Sequence, residues 1–239
     1  MKKYIRKYIL AVIILALGIA SVYEIRQSSE ETMKYTPVTN KTIILDAGHG
    51  GIDPGALNGD QSVKEKEVNL AITLRLRELI ESSGGLVILT REDDSSLYEE
   101  GKGKTIRQKY TENLNNRKKL IDESNADMFV SIHLNAFGQS EYFGAQTFYP
   151  EGDVESKILA KNVQSELKRV VDKTNNRIVK PRDDLLLLKE NKIPSMLIEC
   201  GFLSNDKECK LLSDKDYQEK LAWSIYVGIQ KYMGTGAAQ

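Results

Sequence analysis

Cysteine is nearly absent: Cys200 and Cys209 are the only two in 239 residues. That excludes a disulfide framework and a C-x-x-C metal spacing, and leaves two small, mostly buried thiols as the expectation. Net charge is absent as well, with 34 Lys plus Arg balanced by 34 Asp plus Glu. No global field draws such a chain to nucleic acid, and no basic stripe with interleaved aromatics argues otherwise. Internal repeats are missing, which removes solenoids and arrays. Histidine occurs twice, as His49 and His133.

Long hydrophobic runs are also missing, with one exception. Lys2, Lys3, Arg6 and Lys7 precede an apolar run from Tyr8 to Tyr23, closed by Glu24 and Arg26. A basic flank before such a run stays in the cytosol while the following chain is exported. Residues 1–26 are therefore a signal peptide or membrane anchor, and Gly18-Ile19-Ala20 offers a small-x-small cleavage site. Residues 27–40 are polar and read as a linker, 41–233 as the folded domain, and 234–239 as a flexible tail.

Within the domain, strands and helices alternate. Apolar runs at Ile43–Leu45, Leu86–Thr90, Met128–His133, Gly144–Tyr149 and Ile193–Gly201 read as strands, with Leu185–Leu188 as a further short one. Three- and four-residue spacing predicts helices over Lys64–Ser82, Tyr110–Ser124, Val154–Val171 and Asp216–Tyr232. The fold class is then α/β: a single domain with a mixed, mostly parallel sheet sandwiched by helices, preceded by one N-terminal apolar helix. In such sheets ligands gather beyond the carboxyl ends of strands.

His49, His133 and Glu199 all stand at strand ends. Two imidazoles there ask for a carboxylate to complete a three-ligand metal site. Glu65 and Glu67 compete for that place. Taking Val68, Ile72, Leu76 and Leu79 as the inward stripe, Glu65 falls within about 30° of its centre and Glu67 roughly 135° away. Glu65 is the ligand by that geometry. Glu199 emerges from a buried strand, either as half of a structural ion pair with Arg117 or Arg91, or as a general base beside the metal.

Four stretches carry a family resemblance. Leu45-Asp-Ala-Gly-His-Gly-Gly-Ile-Asp-Pro-Gly-Ala56, Lys64-Glu-Lys-Glu-Val-Asn-Leu-Ala71, Ser131-Ile-His-Leu-Asn-Ala136 and Ile198-Glu-Cys-Gly-Phe-Leu-Ser-Asn205 occur in order. Together they resemble the motifs of the zinc-dependent N-acetylmuramoyl-L-alanine amidases of the amidase-3 type, with Leu134 where alanine is usual. The resemblance implies one zinc ion held by His49, Glu65 and His133, with Glu199 as catalytic acid/base. It implies a mixed sheet with helices on both faces, and hydrolysis of the amide joining N-acetylmuramic acid to L-alanine. Arg117 and Asn135 match family positions behind the ligands or in the substrate groove, whereas Asp53 reads as turn chemistry.

No wall-binding repeats follow, so peptidoglycan targeting falls to the membrane segment or a protein partner that could also activate the enzyme. One small domain behind one apolar segment is most similar to the spore-cortex branch, which serves muramic-δ-lactam formation and germination. The polar excursion from Asp94 to Lys109 is expected to be an idle solvated loop, or else a lip over the groove or a docking site. Two alternatives share parts of this pattern. A non-haem iron oxygenase also uses two His and one carboxylate, but usually on a β-barrel. A silent wall-binding module would lack the acid, and Glu199 is present.

Overall fold

The computed structural model describes residues 2–99 and 103–235, without the side chains of residues 2, 3, 10, 11 and 28–35. Most of the expected tail, 236–239, and part of the polar excursion, 100–102, lie outside the described residues. The chain divides into two units, Met1–Pro37 and Val38–Gln239.

The first unit is one helix, α1 (Lys2–Tyr35). Its segment Tyr4–Gln27 has a mean hydropathy of 2.2 and is long and apolar enough to cross a membrane. The polar residues from Gln27 onward, read as a tether, continue the helix to Tyr35. No Pro or Gly interrupts them before Pro37, so nothing in the sequence stops the turns earlier.

The second unit is built on a six-stranded sheet. Its strands are β1 (Thr42–Ala47), β2 (Leu86–Leu89), β3 (Met128–Asn135), β4 (Gln146–Pro150), β5 (Lys180–Arg182) and β6 (Ser195–Phe202). They lie in the order β2-β1-β3-β6-β4-β5, parallel except for the antiparallel pairing of β4 with β6. Helices α2 (Glu65–Ser82), α4 (Val154–Glu166) and α6 (Lys215–Gly234) pack together on one face. Successive strand residues alternate between faces. Ile43, Leu45, Val130, Ile132, Met196 and Ile198 accordingly join the larger core with Ile72, Leu159 and Ile225. Ile44, Phe129 and Leu197 form a smaller core with Ile121 of α3 (Ile106–Glu123) on the other face.

Within this unit the structure differs from the sequence reading in five places. Leu185–Leu188 is not a strand. It is a turn in which the Leu188 amide donates to the Leu185 carbonyl, and Leu187 and Leu188 fill the smaller core. The strand at that edge is Lys180–Arg182, within a polar and basic run to which the sequence reading gave no strand, and it pairs with β4 through Phe148, Tyr149 and Pro150. Helix α3 starts four residues before Tyr110, because Thr105 and Gln108 form a capping box. A short helix, α5 (Asp206–Leu212), follows β6, its first amides capped by Asn205. The Val154–Val171 helix is there, but its last turn, Leu167–Val171, widens into a π-turn.

Candidate metal centre

The site is assembled at the carboxyl ends of three adjacent strands. Beyond β1 the chain turns sharply: His49, Gly50 and Gly51 have φ of 64°, 126° and 56°. A positive φ is uncommon outside glycine, and at His49 it aims the ring back across the strand ends. Gly50 and Asp53 exchange both backbone hydrogen bonds, closing a tight turn. That turn places Asp53 Oδ2 2.8 Å from His49 Nδ1, while Asp53 Oδ1 accepts from the Gly55 amide at 3.1 Å. Asp53 is therefore both a turn residue and the orienter of a histidine. The sequence signal was a carboxylate four residues after His49, within one glycine turn.

Glu65 opens α2 and is almost fully buried. Its Oε2 accepts from the Ala56 amide at 2.7 Å, and its Oε1 from the Leu134 amide at 2.9 Å and Asn69 Nδ2 at 3.2 Å. Thus fixed, Oε1 lies 3.2 Å from His49 Nε2 and 3.0 Å from His133 Nδ1. Glu67 points outward and pairs with Lys64 at 3.0 Å, as the helical spacing required. The imidazole of His133 lies against Gly48, where a Cβ would stand 2.3 Å from its Cε1. The two rings are 4.9 Å apart and nearly perpendicular.

His49, Glu65 and His133 thus present one donor atom each within 4.8 Å of one another. Two of the three donor separations, those of Glu65 Oε1 from the two rings at 3.0 and 3.2 Å, are close to the edge, about 3.3 Å, of a tetrahedron with zinc–nitrogen bonds of about 2.0 Å. The electrostatics agree with a cation at this point. Burial disfavours the charged His49 ring, but Asp53 and Glu65 outweigh it and raise its pKa to about 10. Burial likewise opposes ionisation of Glu65, yet its bonds to His133 and His49 hold it far below the usual carboxylate range. The cluster holds positive charge tightly, and its donor set suits a dication. Asp53 behind His49 is the outer carboxylate that commonly fixes a metal-binding imidazole.

Glu199 stands beside this cluster. It is the register partner of His133 on the neighbouring parallel strand, so both side chains leave the same face of the sheet. Burial pushes its pKa up to about 7, with Glu65 adding to the rise and His133, His49 and Arg182 opposing it. Its Oε2 is buried and has no hydrogen-bond partner among the described residues. Neither arginine considered as an ion-pair partner reaches it. Arg117 is fully buried, with Nη1 donating to Asp46 Oδ1 at 2.7 Å and the Ala47 carbonyl at 3.1 Å, and Nη2 to the His49 carbonyl. Arg91 donates to the carbonyls of Ala47, Gly48 and Lys66. Both arginines brace the back of the loop that carries His49. The Asn135 carbonyl accepts from the Leu203 amide, linking the ends of β3 and β6.

Residues 43–231 match the N-acetylmuramoyl-L-alanine amidase family over most of the chain. The chain belongs to that family. The amidase is 42% identical over 196 residues to the germination-specific N-acetylmuramoyl-L-alanine amidase of Bacillus subtilis, covering 82% of this chain and 81% of the relative. Among solved structures it is similar to the CwlD amidase from Clostridioides difficile, determined in complex with the GerS lipoprotein. The identity there is 76% and the TM-score 0.81, over 82% of this chain and all of that one. An N-acetylmuramoyl-L-alanine amidase from Clostridium difficile 630 is 32% identical with a TM-score of 0.70, over 81% and 97%. The amidase acts on peptidoglycan, at the amide between N-acetylmuramic acid and L-alanine. The oxygenase reading, which needed a different fold around the same triad, falls away.

Proposed function

We propose that the amidase is a zinc enzyme in which His49, Glu65 and His133 hold the metal and Glu199 moves the proton. The convergence of those three donors beside a carboxyl whose buried Oε2 has no hydrogen-bond partner among the described residues carries this reading. Two His and one Glu form a recurrent catalytic zinc set that leaves a coordination position open. When bound, zinc supplies a Lewis acid that polarises an amide carbonyl and acidifies water. The rest of the chemistry belongs to the chain. Asp53 keeps His49 Nε2 turned toward the cluster, and the Ala56 and Leu134 amides fix the Glu65 carboxylate. Glu199, with a pKa of about 7, takes a proton from the attacking water and returns it to the departing L-alanine nitrogen. A group titrating near the working pH suits both halves of that transfer.

We further infer that the domain works outside the cytoplasm, led or held there by the apolar Tyr4–Gln27 helix. Its kinship with a germination-specific enzyme supports a role in spore cortex. Removing the stem peptide there frees the lactyl carboxyl from which muramic-δ-lactam is closed. The complex of the C. difficile CwlD amidase with a lipoprotein supports a lipoprotein partner for this chain too.

The test is a digest of purified peptidoglycan with the protein, with and without added zinc, read by mass spectrometry. Free N-terminal L-alanine peptides and unsubstituted muramic acid are expected only with zinc. Glu199→Gln is expected to keep its zinc and lose about 10²–10⁴-fold in turnover, the usual worth of a positioned acid/base. Full turnover in that variant contradicts the role.

A further inference from the structure

We propose that Asp94 and Ser96, the first residues of the polar excursion after β2, are positioning residues that clasp the metal loop and hold His49 in its strained conformation. The inference rests on the zinc reading of His49 and assigns work to a segment expected to be an idle loop.

The contacts are specific and come from both sides of the turn. Asp94 Oδ1 accepts from the Gly51 amide at 2.9 Å, and its Oδ2 takes Lys66 Nζ at 2.6 Å. Lys66 Nζ also donates to the Gly51 carbonyl at 2.8 Å, so residue 51 is gripped by both its amide and its carbonyl, on the two peptide units that flank it. Ser96 Oγ donates to the Gly50 carbonyl at 2.6 Å. The fit leaves no room for a side chain: a Cβ on Gly50 would lie 2.3 Å from the Ser95 carbonyl oxygen, and one on Gly51 2.7 Å from Ser96 Oγ. Behind the clasp, Leu97 is tied to α3 by Asn113 Oδ1 at 2.8 Å and Asn116 Nδ2 at 2.7 Å. The excursion thus transfers the rigidity of α3 to the two residues that follow His49.

A non-glycine residue at φ 64° persists only where its surroundings over-determine it. Arg117 secures the His49 carbonyl from behind, and Asp53 the ring. Asp53 also pairs with Gly50 through the backbone, but neither residue bonds to Gly51, through which the loop could relax. The clasp closes that route. Lys66 makes the dependence on Asp94 sharp, because its side chain is only 11% exposed while Asp94 is 57% exposed. Removing the carboxylate leaves a nearly buried ammonium with the Gly51 carbonyl alone. Reaching for water instead, it lets go of the loop.

Asp94→Ala, Ser96→Ala and Asp94→Asn are compared with the unaltered protein in three measurements. These are amide hydrogen exchange over 49–53 without metal, zinc affinity by competition with a chromogenic chelator, and the metal-free thermal midpoint. Both alanine variants are expected to exchange faster over 49–53 alone, to bind zinc about tenfold more weakly, and to keep the midpoint. Asp94→Asn retains an acceptor for the Gly51 amide and is expected to fall between. Lys104→Ala, which loosens only the distal contacts to Glu99 and Glu112, is expected to change neither loop exchange nor zinc affinity. Unchanged exchange and affinity in both alanine variants overturn the proposal, as does a loss of affinity that only follows a fall in the midpoint. Failure of the unaltered protein to bind zinc overturns the reading of the site instead, while the exchange data still decide the clasp.

Discussion

Asp53 shows how one side chain can serve two ends. It closes the glycine turn through Gly55 and points His49 through Nδ1. Asp53→Ala is expected to lower zinc affinity about 10–100-fold, the usual cost of losing an outer carboxylate. It is also expected to bring the metal-free His49 pKa down from about 10, as read by imidazole proton shifts; an unmoved pKa contradicts the assignment. Glu65 was legible beforehand, because helical spacing alone separates an inward from an outward acid. The pairing of Asp53 with His49 was not, since a turn carboxylate satisfies its own loop equally well with or without a histidine. Arg117 is a similar case. Its sequence position says nothing of Asp46, which takes Thr90 at 2.8 Å and Ser131 at 2.5 Å as well as the guanidinium. Arg117→Ala leaves Asp46 charged and buried, at an expected cost of about 3–5 kcal/mol in chemical denaturation.

Among elements, helices α4 and α6 pack backbone against backbone at Gly228. A Cβ at Gly228 would lie 2.6 Å from the Cα of Val163 and 2.9 Å from its amide nitrogen, so the obstacle is backbone. Gly228→Ala is expected to destabilise the domain by about 1–3 kcal/mol by forcing the helices apart. Zinc affinity should be unchanged, because the Gly228–Val163 contact involves none of His49, Glu65, His133 or Glu199. Denaturant melts and chelator competition measure the two effects separately. Element type was legible wherever a segment was long and periodic, as in α2 and α6. It was not where tertiary contact overrode local pattern. Leu185–Leu188 has the composition of a strand, but Leu187 and Leu188 are needed against Phe148 and Leu197. Lys180–Arg182 has no apolar alternation because it pairs at an edge, with Arg182 lying over the Phe148 ring.

For the whole molecule, the titrations of the site combine into one pH dependence. His49 is raised from 6.5 to about 10, so its contribution is complete below 6.5 and fades as pH rises through 10. Glu199 is raised from 4.5 to about 7; the folded state binds that proton more tightly, so its contribution too is lost on the way up. Glu65 and Asp46 are depressed, and their contributions are lost as pH falls below their unfolded values of 4.5 and 3.8. The metal-free protein is therefore expected to be most stable in mild acid and to lose thermal midpoint from about pH 5 to about pH 9. Zinc should flatten that decline, because its ligands bind in their deprotonated forms and its affinity rises with pH. A metal-free midpoint that climbs over this range contradicts the charge balance described.

The architecture as a whole was legible because strand ends, a glycine turn and an amphipathic helix each announce themselves locally. The site was legible because the chain has only two histidines to place. What residue spacing alone could not show was the support behind them, although the family resemblance put Arg117 behind the ligands or in the groove. Asp94, Ser96, Arg91 and Arg117 lie 43 to 68 residues from the loop positions they hold, and the fold brings them there. The central claim is that this support converges three donors on one metal. Anomalous diffraction at the zinc edge from zinc-soaked crystals tests it most directly. A single peak within bonding distance of His49 Nε2, Glu65 Oε1 and His133 Nδ1, with Glu199 beside it but not bonded, is the predicted result. A peak held by other residues, or none between these three donors, contradicts it.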